Sequence, residues 1–171
     1  MATWQAIGKS DEWYTPKYIF DALGCRFDLD VASPEGGPKH TPCAEYFIQE
    51  DDSLTQDWEG FVWMNPPFGG RNAIGPWLNK FFDHGNGVAL VPDQTSAGWF
   101  QSALNRSSAV LFINGRVKFE RPDGTTGNSP ANGTTLFASG WRGLEALNNA
   151  RKAGLGYMAV GFTSGLSDNS R

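Results

Sequence analysis

The stretch Phe61-Val62-Trp63-Met64-Asn65-Pro66-Pro67-Phe68 joins an apolar run to an Asn-Pro-Pro-Phe tetrad. The aromatic and β-branched residues of the run predict a buried strand. Two successive prolines end the pairing of that strand, because neither carries an N–H and each fixes φ. The tetrad, Asn65 to Phe68, is therefore predicted to lie at the carboxyl end of a strand. In open α/β sheets, ligands bind at this edge.

The tetrad suits the methylation of an amine whose lone pair is delocalised into an aromatic ring. The side-chain oxygen of Asn65 and a prolyl carbonyl, from Pro66 or Pro67, can accept both N–H bonds and draw the nitrogen towards tetrahedral geometry. Phe68 can then stack on the ring, an interaction worth about 1–3 kcal/mol per base. The alternative is a rigid turn in which Phe68 fills the core.

Length and composition indicate one globular domain over residues 1–171. The chain has 171 residues, is 40% hydrophobic and contains 7 Trp and 12 Phe, which excludes a disordered chain. Its net charge of −4 excludes a global positive field, so any nucleic-acid site has to be local.

The sequence also predicts a soluble, cytoplasmic protein that has no membrane partner. Its first residues, Met1-Ala2-Thr3-Trp4-Gln5, lack a basic region followed by an apolar stretch. No run reaches the roughly 18 apolar residues that a membrane span needs. Cys25 and Cys43 are expected to be free thiols.

Alternating apolar patterns predict an α/β sheet with helices on both faces. Helices are predicted over 17–23, 74–82, 97–104 and 143–153. Strands are predicted over 27–32, 44–48, 61–64, 87–92, 109–113 and 156–162. Residues 1–12 are predicted to be an arm. A late β-hairpin is predicted over 115–138, with strands 115–121 and 134–138 and a long tip at 122–133.

Acidic residues lie on one predicted strand, 27–32, and follow the next one. Asp28 and Asp30 are two residues apart, so they point the same way if their strand is regular. Asp51-Asp52-Ser53-Leu54 follows the next predicted strand. The alternative for this second group is a solvated acidic turn.

These motifs together resemble the phage-type DNA N6-adenine methyltransferase (Dam-like) family, which depends on S-adenosylmethionine. The resemblance covers most of residues 12–138. The motifs are Glu12-Trp13-Tyr14-Thr15-Pro16, Phe27-Asp28-Leu29-Asp30-Val31-Ala32, Asp52-Ser53-Leu54-Thr55-Gln56-Asp57-Trp58, the tetrad, and Gly115-Arg116-Val117-Lys118-Phe119. The family implies a Rossmann-like methyltransferase sheet and, for a phage-encoded enzyme, the host cytoplasm.

The resemblance implies a set of cofactor-binding residues. They are Trp13, Thr15, Pro16, Asp28, Asp30, Ala32, Asp52 and Asn65. Thr15 would bind the methionine carboxylate, although a helix N-cap is the alternative. Asp28 or Asp30 would meet the cationic part of the cofactor, and the motif does not decide which, because no glycine follows until Gly36. Asp52 would accept from the adenine amino group, with Glu45 or Tyr46 near the ribose.

Positive charge is expected to contact DNA beside the tetrad. The candidates are Arg71, Arg116, Lys118 and Arg121, and the 122–133 tip could enter a groove or fill the gap that an extruded base leaves. The alternative is an ordinary solvated hairpin. Extrusion is required because a paired adenine amine cannot meet both Asn65 and the methyl donor.

Other chemistries fit the residues less well. Pro42-Cys43 lacks the further signatures of cytosine ring-carbon methylation, and His40 with Cys43 lacks a second ligand pair, so we predict no metal. N4-cytosine methylation, methylation of RNA or of a protein glutamine, and a catalytically silent nucleic-acid-binding module stay as alternatives. The sequence implies no obligate protein partner and leaves the recognition sequence, oligomeric state and biological role open.

Overall fold

A computed structural model describes residues 13–67, 73–128 and 130–160. In these ranges the chain forms four α-helices, a short 3-10 helix and seven strands. In chain order they are α1 Lys17–Leu23, β1 Phe27–Asp30, β2 Cys43–Tyr46, the 3-10 helix Gln49–Asp51, β3 Val62–Met64, α2 Ile74–His84, β4 Gly87–Pro92, α3 Gly98–Arg106, β5 Ala109–Ile113, β6 Thr134–Ser139, α4 Gly140–Lys152 and β7 Gly156–Val160. Apart from the hairpin strand 115–121, the predicted helices and strands are confirmed, with ends that shift by a few residues; residues 161–162 of the last predicted strand lie outside the described residues.

The strands form one mixed sheet in the order β2-β1-β3-β4-β6-β5-β7. The pairs among β2, β1, β3 and β4 are parallel, whereas β6 is antiparallel to both β4 and β5. Helices α1 and α4 pack on one face of the sheet, and α2 and α3 pack on the other. The predicted α/β sheet with helices on both faces is therefore confirmed.

The indole of Trp63 connects α1 to the centre of the sheet. It is 1% exposed, and its ring centroid lies 4.8 Å from that of Phe20 on α1 and 5.6 Å from that of Phe27 on β1. Gly24 ends α1 with φ 62°, a left-handed conformation that glycine adopts without strain. This packing fixes the start of α1 beside the carboxyl end of β3.

The late hairpin differs from the prediction. Strand β6 does not pair with 115–121 but lies between β4 and β5, and all six of its residues are buried. A strand that is buried on both faces belongs inside a sheet, whereas a projecting hairpin would leave one face exposed. Glu120 forms isolated bridges to Tyr14 and to Thr126 instead.

Candidate active site

The tetrad residue Asn65 is bonded to Thr15 at the carboxyl end of β3. The Asn65 Nδ2 donates to Thr15 Oγ1 over 3.0 Å. Thr15 is 6% exposed and Asn65 is half-buried. The N-cap of α1 is Pro16 and receives no side-chain hydrogen bond, so Thr15 is not a helix cap. The structure thus brings two predicted site residues, 50 positions apart in the sequence, into contact.

The bond between Asn65 and Thr15 leaves two groups for a ligand. Within the described residues, the Asn65 side-chain oxygen accepts no hydrogen bond, and the Thr15 hydroxyl keeps its proton for donation. Pro66 is buried and Pro67 is exposed. Phe68 and Arg71 lie outside the described residues, as does the arm at 1–12.

Asp30 lies on the strand next to β3 and is 3% exposed. It is the register partner of Trp63, two residues before Asn65. Its Oδ1 accepts the amide of Ala32 over 3.2 Å. Burial raises the pKa of the Asp30 carboxyl to about 7, against the lowering effect of hydrogen bonds from Ala32 and Thr41. No cation is paired with this carboxyl among the described residues, so a cationic ligand would stabilise its charged form.

Asp28 has a different position, because the regular strand that would make Asp28 and Asp30 point the same way is not present. Phe61 O accepts the amides of both Asp28 and Leu29, an irregularity that breaks the alternation of β1. The Asp28 side chain is exposed near the amino end of β1, where its Oδ2 accepts the amide of Phe61 over 2.6 Å and Arg142 over 3.1 Å. The hydrogen bond from Phe61, followed by that from Arg142, lowers the pKa of Asp28.

Of the predicted pair Asp51 and Asp52 after β2, only Asp52 is left for a ligand. The Oδ2 of Asp51 accepts the amide of Ile48 over 2.8 Å, which closes the turn locally. Asp52 is exposed, and its side chain has no hydrogen-bond partner in the described part of the chain. Its φ of 48° is the one positive value for a described non-glycine residue. Such backbone strain is concentrated at ligand sites.

Sequence reasoning missed the residue that holds the loop after Asp52. The Lys80 Nζ on α2 donates to Ser53 O over 3.2 Å and Leu54 O over 2.9 Å, and also to Gln56 O. Nothing in the sequence singles out Lys80, because its spacing fits an ordinary exposed position on α2. A lysine that caps three carbonyls fixes this loop relative to the sheet.

The predicted DNA-contacting residues differ in whether their side chains already make contacts within the protein. The Arg116 guanidinium donates to Pro130 O over 2.8 Å and to Ala131 O, so it holds the loop that leads into β6. The Arg121 guanidinium lies 5.1 Å from the centroid of the half-exposed Trp13 ring, which the sequence assigned to the cofactor. Lys118 is exposed, and no described residue pairs with it.

A charged cluster that the sequence did not predict joins this segment to the loop after β1. Glu120 Oε2 accepts Lys39 Nζ over 3.0 Å and lies 2.9 Å from His40 Nε2. The hydrogen bonds from His40 and then Lys39 lower the pKa of Glu120. The Tyr14 backbone pairs with that of Glu120, so the cluster lies one residue from Thr15.

A groove on the described surface lies away from Asn65. Its volume is about 540 Å³, and it contains Asp28 rather than Asp30. Three more acids, Glu45, Asp57 and Glu59, line it, whereas Asn65 and Thr15 do not. In the part of the chain that the structure describes, no three His, Cys, Asp or Glu side chains are grouped to hold a metal, and Cys25 and Cys43 are free. That part also contains no helix with the length and apolarity of a membrane span.

A comparison with protein families finds a match. The model of a family described as DNA N-6-adenine-methyltransferase (Dam) matches residues 5–148. The matched span includes β1 to β6, most of α4 and every predicted site residue. Comparisons with curated proteins and with solved structures find no match.

Proposed function

Because the chain belongs to the DNA N-6-adenine-methyltransferase (Dam) family, we propose that it methylates the N6 amine of an adenine extruded from DNA. S-adenosylmethionine is the proposed donor. The observation that carries this proposal is the Asn65–Thr15 bond at the carboxyl edge of the sheet. That bond directs the amide nitrogen of Asn65 to Thr15 and leaves its oxygen for the substrate amine.

The proposed role of Asn65 and Pro66 is to activate the amine. The Asn65 oxygen accepts one N–H and the Pro66 carbonyl accepts the other, so the nitrogen lone pair turns out of conjugation with the ring. That lone pair would form the new N–C bond while the methyl–sulfur bond of the donor breaks and leaves a neutral thioether, and one amine proton would pass to water. Pro67 keeps the carbonyl rigid, and Phe68 stacks on the ring.

The residues around Asp30 fit a cationic cofactor that also carries a carboxylate. Asp30 is a buried carboxyl without a cation, Thr15 offers a hydroxyl proton, and the Ser33 hydroxyl is buried without a described partner. Asp30, Ala32, Thr15 and Pro16 would hold the methionine part, and Asp52 would hold the adenine amino group. When bound, S-adenosylmethionine supplies an electrophilic methyl group on a sulfonium. We assign Asp30 rather than Asp28 to this site, because Phe61 and Arg142 already occupy the Asp28 carboxylate.

DNA binding is proposed to rest on a local positive patch. Lys118 and Arg121 provide exposed charge on the segment that the Glu120 cluster holds beside Thr15. Arg71 is a further candidate for a phosphate contact. Phosphate contacts supply affinity and register but no sequence specificity. Extrusion of the base costs a few kcal/mol, which these contacts have to offset.

The test compares Asn65→Ala with wild type on duplex DNA, followed by nucleoside analysis of the product. We expect the variant to lose about 10²- to 10³-fold in kcat, as for the loss of one preorganised polar contact. Its affinity for S-adenosylmethionine, measured by calorimetry, should stay within a few-fold of wild type. Asn79→Ala is the matched control, because Asn79 is an exposed asparagine on α2.

Three results would overturn the proposal. Full methylation by Asn65→Ala would remove Asn65 from the chemistry. N4-methylcytosine as the product of wild type would replace adenine with cytosine as the substrate. Wild type that binds DNA but has no measurable affinity for S-adenosylmethionine would favour a silent binding module.

A further inference from the structure

Two buried side-chain hydroxyls lack a hydrogen-bond partner in the described part of the chain, Ser33 Oγ and Thr134 Oγ1. An unpaired buried hydroxyl destabilises the folded state, so such a group in a folded protein requires an explanation. Ser33 follows β1 and Thr134 begins β6, so both lie at the ligand-binding edge of the sheet. In the strand order they lie on opposite sides of Asn65, and Ser33 is on the side of Asp30.

Thr134 shares a sheet face with Asn65. Leu136 and Ala138 on β6 belong to the same apolar layer as Trp63 on β3. Since side chains alternate along a strand, Thr134 and Asn65 extend this same face at the edge of the sheet. Thr134 is the register partner of Pro92, the last residue of β4.

The spacing of the strands fits a base between the two side chains. Strand β6 lies two positions from β3 in the sheet, which corresponds to about 10 Å between backbones. The register places Thr134 two residues further towards the edge than the level of Asn65, an offset of about 7 Å along the strands. Side chains that lean towards each other along the edge, with one hydrogen bond from each, span this separation across the narrow side of a base that carries the exocyclic amine and the adjoining ring nitrogen.

The backbone on both sides of Thr134 is fixed. The hydroxyl of the next residue, Thr135, donates to Asp93 Oδ1, and the Asp93 amide donates to Gly133 O over 2.9 Å. Arg116 binds the carbonyls of Pro130 and Ala131 just before them. Thr135 therefore has a partner, whereas the adjacent hydroxyl of Thr134 is held in place without one.

We propose that Thr134 recognises the target base by donating its hydroxyl proton to the ring nitrogen N1 of the extruded adenine. This inference rests on the proposed function. N1 is an acceptor bonded to the carbon that carries the amine, and a hydroxyl is a suitable donor. Thr134 is 3% exposed, so neighbouring residues have to move when the base enters.

The first test is a cycle of two changes, Thr134→Val in the protein and 1-deazaadenine for adenine in the DNA. With adenine, Thr134→Val should lower kcat/KM by roughly 3- to 10-fold, the loss of one hydrogen bond. With 1-deazaadenine, wild type and variant should differ by less than about 2-fold, because the acceptor is already absent. A 7-deazaadenine substrate is the control, and there the full difference between the proteins should persist.

The second test is thermal stability without ligand. Thr134→Val keeps the shape of the side chain and removes an unpaired buried hydroxyl, so its Tm should rise by about 2–4 °C. Thr135→Val is the matched variant at the adjacent position, and its Tm should fall because Asp93 loses a donor. A fall in Tm for Thr134→Val would show that its hydroxyl has a structural partner and would overturn the proposal.

The outcomes separate this inference from the proposed function. If wild type methylates adenine but the effects of Thr134→Val and 1-deazaadenine simply multiply, the contact between Thr134 and N1 is refuted alone. Loss of the difference with 7-deazaadenine instead would also refute it. If wild type methylates no adenine, the proposed function fails and this inference fails with it.

Discussion

Asp30→Asn should make the protein more stable at neutral pH and weaken its binding of the cofactor. Asp30 is 3% exposed, and burial raises its pKa from 3.8 to about 7. Between these two values the unfolded chain ionises Asp30 while the folded chain keeps it protonated. The folded state therefore binds more protons, and its free energy of unfolding falls as the pH rises through this window.

The size of the effect follows from the pKa. Between pH 5.5 and pH 8, Asp30 alone should lower the free energy of unfolding by about 2 kcal/mol, and its total cost at pH 8 is about 4 kcal/mol. Asparagine stays neutral and can still accept the amide of Ala32 through its side-chain oxygen. The variant should thus exceed wild type by roughly 2–4 kcal/mol at pH 8 and by less at pH 5.5.

The assay is urea unfolding at pH 5.5, 6.5 and 8 for wild type, Asp30→Asn and Asp28→Asn. The last variant is the control, because Asp28 is exposed and hydrogen bonds lower its pKa, so its substitution should give no gain at pH 8. If Asp30→Asn is less stable than wild type at pH 8, the ionised carboxylate of Asp30 stabilises the folded protein, burial does not raise its pKa, and the reasoning is refuted.

Cofactor binding gives the second half of this prediction. A cationic ligand binds the ionised form of Asp30, so the affinity of wild type for S-adenosylmethionine should rise by up to about tenfold per pH unit below pH 7. Above pH 7 this dependence should level off. Asp30→Asn should bind more weakly and without this dependence, as calorimetry at the same three pH values can show. A pH-dependent affinity that survives in Asp30→Asn would assign the titration to another group.

Two further substitutions test the rest of the site. Thr15→Val keeps the shape of Thr15 but removes the partner of Asn65 and the proposed carboxylate donor. We expect at least a tenfold loss of affinity for S-adenosylmethionine, a hydrogen bond to a charged group being worth about 1.5–3 kcal/mol. Unchanged affinity in calorimetry would contradict this role. The logarithm of the affinity for DNA falls linearly with the logarithm of the salt concentration, and Lys118→Ala should make this fall less steep by about 1. Arg106→Ala, at the far end of α3, should leave the slope unchanged.

The sequence predicted the elements of the sheet because their signals are local. Two prolines mark the end of β3, Gly24 marks the end of α1, and the apolar run at 87–92 matches β4. The pairing of β6 was not predictable in the same way. Thr134 to Ser139 reads as a strand in either arrangement, and only contacts with β4 and β5, which are distant in the sequence, decide its neighbours.

In the candidate site too, local motifs were predictable from the sequence, whereas contacts between distant residues were not. The motifs identified Thr15 and Asn65, but their hydrogen bond spans 50 positions and depends on the packing of α1 against Trp63. The sequence pattern does not distinguish Asp28 from Asp30, the two acids of β1. They differ in the structure because the amides of Asp28 and Leu29 share one carbonyl, a backbone feature that residue types do not encode.

The features that oppose folding are concentrated at one edge of the sheet. The edge that holds Asn65 also holds the buried carboxyl of Asp30, the unpaired hydroxyls of Ser33 and Thr134, and the positive φ of Asp52, all of which lie at a strand end or in the loop after one. The two apolar layers on the faces of the sheet contain no comparable group among the described residues. Such local conflicts persist where function requires them. Stabilising substitutions should therefore be found at this edge, and those that satisfy or remove these groups should weaken ligand binding.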